Sequence, residues 1–123
     1  MRELITSAAA WRWTVLFAVA VAAAPAVAHH GWGSYDATQV LTLTGKVLES
    51  TYQNPHGELK LEVSGKTWHV ILAPPFRMQN RGLPAENMKP GTTVTVVGYP
   101  HRTEKAELRA ERIIIAGVTT ELR

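Results

Sequence analysis

The chain has 123 residues, with 13 basic and 10 acidic side chains, five histidines and no cysteine. That length bounds the protein to one domain with a modest core. The near-balanced charge argues against nucleic acid and against a strongly acidic partner, and the missing cysteine rules out disulfides and thiolate metal sites.

Residues 1–28 carry the three parts of a secretory signal. Arg2 and Arg12 supply positive charge, Trp13 to Ala24 is an unbroken apolar run, and Pro25 ends it before the small-residue sequence Ala26-Val27-Ala28. From Trp13 to Ala28 there are 16 residues, short of the roughly 20 that a spanning helix needs. Cleavage is therefore expected after Ala28, giving a periplasmic protein with no transmembrane span. The mature chain then has 95 residues with 11 basic and 9 acidic side chains, a net charge of +2.

Residues 29–38 hold two glycines and little apolar periodicity, which predicts an irregular N-terminal arm leading into a β domain over 39–123. The first strand is expected from Val40 to Thr51, with Leu41, Leu43 and Val47 on one face and a bend or bulge at Gly45. Asn54-Pro55-His56-Gly57 reads as a turn. The second strand, Glu58 to Val63, turns Leu59, Leu61 and Val63 inward. After Ser64-Gly65-Lys66, the third strand, Thr67 to Leu72, puts Trp68, Val70 and Leu72 on one face and His69 on the other.

Pro74-Pro75 can open a short helix that Gly82 ends, with a second short turn over Leu83 to Met88. Pro90-Gly91 punctuates the chain. The fourth strand is expected over Thr92 to Tyr99 and the fifth over Glu107 to Ile115, both rich in β-branched residues. Three strands, a helical crossover and two more strands is the element order of an OB-fold. The expected fold is all-β: a small five-stranded OB-like Greek-key barrel with a short helical crossover between strands 3 and 4.

The chemistry concentrates in the histidines. A mature terminus at His29 offers one metal ion an α-amine and a ring nitrogen, and a further imidazole would complete a nitrogen-rich set. Amine and imidazole can both be deprotonated near neutrality, and nitrogen donors favour Cu(II) among the divalent ions. In an OB barrel the loops between strands 1 and 2 and between strands 4 and 5 lie at the binding side. His56 falls in the first loop and His101 in the second. The expected metal ligands are thus His29, His30, His56 and His101, with His56 the preferred partner of His29, and copper is the expected cofactor. His69 reads as a surface or cross-strand residue, and Asp36 and Glu58 as single carboxylates without an evident partner.

No metalloprotease, serine-hydrolase or phosphate-loop motif is present, which argues against an ordinary hydrolase. A competing expectation is a non-metal binding module that grips a small anion or a partner protein at the barrel mouth, using Tyr52, Tyr99, Arg102, Lys105 and Trp32. Trp32, flanked by glycines, needs somewhere to dock. A copper redox enzyme ranks third, since 95 residues leave little substrate surface.

The run Ala28-His29-His30-Gly31-Trp32-x-x-Tyr35-Asp36 resembles the opening of a family of short exported bacterial proteins catalogued as domain of unknown function 6152. Thr42-x-x-Gly45-x-Val47, Asn54-Pro55-His56, Trp68-x-Val70, Pro90-Gly91-x-x-Val94-x-Val96-x-Gly98-x-Pro100 and Leu108-x-Ala110 continue the resemblance in order. It implies a small periplasmic β domain and transfers no catalytic residue. The leading expectation is a copper carrier, buffer or accessory factor that exchanges its ion with a periplasmic donor or acceptor.

Overall fold

The computed structural model describes residues 31–123. The expected signal segment, His29 and His30 lie outside these residues. Among the described residues no helix is long and apolar enough to cross a membrane.

The chain forms an all-β, OB-like barrel of five strands with a sixth strand added at its edge. The strands are β1 (Leu41–Thr51), β2 (Glu58–Val63), β3 (Lys66–Ile71), β4 (Thr93–Pro100), β5 (Glu107–Ile115) and β6 (Val118–Glu121). A short helix, α1 (Pro75–Asn80), and a 3-10 turn at Ala85–Met88 occupy the crossover between β3 and β4. The sheet order is β3-β2-β1-β4-β5-β6, and β3 pairs β5 in parallel to close the barrel. β5 is long enough to serve two neighbours along one side. Its first residues, Glu107 to Arg109, meet β3, and Arg112 to Ile115 meet β6.

Alternation places the core. Val47, Leu59, Leu61, Val70, Val94, Val96, Leu108, Ala110 and Ile113 point inward and are buried, each large aliphatic contributing about 1.5–3 kcal/mol by leaving water. Met78, Leu83 and Met88 add the crossover to the same cluster, so the helix and turn plug the barrel. Pro75 suits the first helical turn because its missing N–H would have no partner there. Gly82 follows at φ +82°, a conformation in which a side chain would be strained.

Three details differ from the sequence expectation. Gly45 is not the bulge. The register slips between Val47 and Glu49, so Leu48 is the extra residue, 42% exposed. Gly45 instead permits close approach, since a Cβ there would collide with the carbonyl of Glu62. The structure also adds β6 to the five expected strands. β6 is four residues long and follows a tight turn at Ala116-Gly117, both at positive φ (48° and 77°). Such a turn matches the twist of a hairpin, but alanine seldom advertises it. Finally, Trp68 is only partly buried, packed at the margin of the core with the Lys66 ammonium 5.0 Å from its ring centre.

Candidate functional site

β2 and β3 run antiparallel with Lys60 opposite His69, and β3 meets β5 with His69 opposite Glu107. Residues two apart on a strand share a face, so Glu58, His69 and Glu107 all project from the outer surface of these three strands. The loop before β2 adds His56, and the loop between β4 and β5 adds His101. In OB barrels this face and these two loops form the binding surface.

The side chains form a continuous chain of alternating imidazoles and carboxylates. His56 Nδ1 lies 3.5 Å from Glu58 Oε1. The other oxygen of Glu58 is 3.1 Å from His69 Nε2, and His69 Nδ1 is 3.1 Å from Glu107 Oε1. Glu107 Oε2 accepts the Tyr35 hydroxyl at 2.9 Å and faces His101 Nε2 at 3.7 Å. Both contacts of His69 are hydrogen bonds at once only when its ring carries both protons.

His101 has a defined tautomer. Its Nδ1 accepts the backbone N–H groups of Thr103 and Glu104 at 3.1 and 2.9 Å, so the ring proton sits on Nε2 and points at Glu107. In this arrangement His101 orients Glu107. His56 and His69 are the two imidazoles that share Glu58. Of the expected ligands, the structure therefore links His56 to His101 only through Glu58, His69 and Glu107. Among the described residues no group of three or more His, Asp or Glu side chains is set to hold a metal ion.

The N-terminal arm packs against the same end of the barrel. Trp32–Ser34 form a single 3-10 turn, and Tyr35 bridges His101. Asp36 N–H donates to the Pro100 carbonyl at 2.8 Å and Arg102 N–H to that of Ser34 at 2.9 Å. The Tyr35 ring, 1% exposed, meets the His101 ring edge-on at 5.0 Å. Burial, the bond to Glu107 and the charge of Glu107 all raise the Tyr35 pKa well above its ordinary 10. A raised phenol pKa means that the fold disfavours the anion. The stabilisation is complete below pH 10 and is lost as pH rises past it. Tyr35→Phe is expected to lose about 1 kcal/mol at pH 8 for the missing hydrogen bond, yet to lose less than the unaltered protein between pH 8 and 11. Urea midpoints at the two pH values check this, and parallel losses would refute it.

Of the residues of the competing expectation, Tyr52, Tyr99, Arg102 and Trp32 have partners within the fold. The Tyr52 hydroxyl donates to the Leu83 carbonyl at 2.6 Å and ties β1 to the crossover. Tyr99 donates to Glu111 at 2.9 Å, which raises its pKa, chiefly through that bond. Arg102 Nε reaches the Gly33 carbonyl at 3.1 Å, and Lys105 is exposed in the loop before β5. Trp32 has its docking place, with the guanidinium carbons of Arg109 and Arg123 at 4.4 and 4.6 Å from its ring centre.

His69, Glu58 and Glu107 form the middle of the site, and none of them was expected there from sequence. Outward placement of His69 was readable from alternation. Its neighbours depend on the β2–β3 register, which the tight turn at Ser64-Gly65 sets, and on the parallel closure, which has no local signal.

The sequence profile of a family of unknown function, DUF6152, matches residues 16–109. No curated protein matches the chain. Among solved structures, the chain is similar to the crystal structure of a complex of TiaS with tRNA and ATP, at 20% identity over 72% of this chain and 20% of that one, TM-score 0.49. It is also similar to the S. pombe Stn1–Ten1 complex, at 24% identity over 68% of this chain and 58% of that one, TM-score 0.47. The chain spans only part of either protein, and likeness this distant carries no argument about what it binds.

Proposed function

The chain belongs to the DUF6152 family, and from that footing we propose that it is a periplasmic metal-binding protein with Cu(II) as its cargo. The observation that carries this reading is the Glu58 carboxylate held between two imidazoles, His56 and His69, on the binding face of the barrel. Two ligands about 2.0–2.1 Å from one ion lie about 2.9–3.4 Å apart, depending on geometry. The 3.1 Å between His69 Nε2 and Glu58 Oε2 falls in that range, so this pair suits one ion, while His56, 3.5 Å from the other carboxylate oxygen, must turn toward it to join. The amine and ring of His29 supply the remaining donors, with His30 as a further one. His101 and Glu107 hold His69 in orientation, as partners behind a metal ligand do. The protein acts as a carrier or buffer and hands its ion to another periplasmic protein.

A Cu(II) titration with electron paramagnetic resonance tests the reading on protein beginning at His29, on the same protein with one added glycine, and on His56→Ala and His69→Ala. The expected result is a nitrogen-rich signal in the unaltered protein and about tenfold or greater weakening in each variant, equal to ~1.4 kcal/mol or more. Equal, weak binding by all four forms refutes it. Intact mass of the exported protein checks the cleavage site, with a start at any residue other than His29 removing the terminal chelate.

A further inference from the structure

A cleft opens where the tip of the β5–β6 hairpin faces the crossover. It holds about 470 Å³ and is lined by Ile115, Val118 and Thr120 from the hairpin and by Gly82, Leu83 and Asn87 from the crossover. Ile113 pairs with Thr120 and Ile115 with Val118, so these four residues share one face of the hairpin. Ile113 reaches the core, whereas the hairpin tip runs past it and leaves Val118 67% exposed. Bonds at the margins hold the walls. Arg77 Nη1 donates to the Leu122 carbonyl at 3.0 Å and Arg81 Nη1 to that of Glu121 at 2.7 Å. Tyr52 fixes Leu83 from β1. The crossover is thus tied both to the end of β6 and to the barrel, and the space between them is pre-formed.

A pre-formed, mostly apolar cleft of this volume with a few polar groups is what a small-molecule site requires. No ionisable side chain lines it. Arg81, next to Gly82, gives its guanidinium to the Glu121 and Arg123 carbonyls. A charged ligand would lose its water there without gaining a counter-charge. Two neutral polar groups remain. Thr120 is 6% exposed, and among the described residues its hydroxyl makes no hydrogen bond. A buried hydroxyl without a partner is costly, and a ligand that meets it removes that cost. The Asn87 amide lines the crossover side, and both groups can donate or accept. An extended peptide suits the place less well. β6 is the last strand in the sheet order, but Arg81 covers its Glu121 carbonyl, and a charge on a strand edge deters a further strand.

We propose that this cleft is a second binding site, for a small uncharged molecule: an apolar ring or short chain whose single hydroxyl, carbonyl or amide end meets Thr120. It is separate from the His56–Glu58–His69 face. Glu107 and Ile115 mark the two sites at opposite ends of β5, about 26 Å apart along an extended strand. The inference therefore stands without the metal-binding reading.

The test is a fluorescence titration with N-phenylnaphthylamine, an uncharged probe with one N–H, and with anilinonaphthalene sulfonate, the same rings carrying a negative charge. The unaltered protein is expected to bind the uncharged probe saturably, one to one, and the sulfonate at least tenfold more weakly. Val118→Trp, which fills the cleft from an exposed position, is expected to weaken the uncharged probe tenfold or more. Thr120→Val, which keeps the shape and removes the hydroxyl, is expected to weaken it about fivefold. Phe76→Ser, which removes an exposed apolar side chain that does not line the cleft, is expected to change nothing. No saturable binding, or equal binding by Val118→Trp, overturns the site, as does a loss in Phe76→Ser that matches the loss in Val118→Trp. Equal or tighter binding of the sulfonate overturns the uncharged class of ligand. Equal binding by Thr120→Val overturns the role given to its hydroxyl. Should Val118→Trp lower the urea midpoint, Asn87→Trp narrows the cleft from the crossover side and decides by the same reading.

Discussion

Gly98→Ala is expected to destabilise the protein by about 3 kcal/mol or more, a large share of the stability of a small domain. Gly98 sits in β4 opposite Ala110, beside the point where the β4–β5 register slips between Val97 and Gly98. Glu111 is the extra residue on β5, and the two strands come unusually close there. An added Cβ would overlap the carbonyl oxygen of Arg109 and lie 2.8 Å from the Ala110 Cα. These are backbone atoms of a paired strand and cannot swing aside as a side-chain tip would. Relief requires β4 and β5 to separate, which breaks ladder hydrogen bonds and opens the packing of Val96 against Leu108 and Ile113. Gly65, in a tight turn, has open space around its would-be Cβ and is the control for position-independent effects. Its alanine variant carries only the strain of φ +78°, about 1 kcal/mol. Urea unfolding checks the pair. Similar losses at Gly98 and Gly65 would show that β4 and β5 have room to adjust.

Glu107→Ala is the second large effect, expected to cost about 3 kcal/mol. Glu107 is 14% exposed and accepts the hydroxyl of a phenol that is itself buried. Removing the carboxylate leaves the Tyr35 hydroxyl without its acceptor and takes away the counter-charge facing His69 Nδ1 and His101 Nε2. Glu107→Gln separates these contributions. The amide oxygen still accepts from Tyr35 while the charge is gone, so about half of the loss should return. Equal midpoints for the alanine variant and the unaltered protein would mean that water satisfies Tyr35 and His69 as well as the carboxylate does.

The barrel was legible in the sequence because β2 and β4 alternate cleanly and the other strands do so over most of their length. Leu59 and Leu61, Val94 and Val96 each announce one buried face, and the Pro74-Pro75 segment announces the crossover between the third and fourth strands. β6 was not legible. It is four residues long, and its turn uses Ala116 at positive φ, where Asn or Gly would have been the usual signal. In the candidate site, His56 and His101 could be assigned to neighbouring loops from element order alone. Glu58 looked like a lone carboxylate because its partners are 2 and 11 residues away in sequence, on a loop and on an adjoining strand. The link from His69 to Glu107 spans 38 residues, and only barrel closure brings them together. The docking of Trp32 on Arg109 is likewise a long-range contact that composition does not reveal.

The parallel contact between β3 and β5 has a consequence for the order of events in folding. Every other strand pair is antiparallel, and β2–β3 and β5–β6 are short hairpins that close small loops. The β3–β5 contact is three residues long, His69 to Ile71 against Glu107 to Arg109, and it must wait until the crossover and β4 have been laid down. Loop-closure entropy puts such a contact late on the pathway. His69 and Glu107 form their bond across this seam, so their interaction is expected to form after the transition state. Its loss should therefore appear as faster unfolding at an unchanged refolding rate, and a metal ion bound to His69 would lengthen the lifetime of the closed barrel.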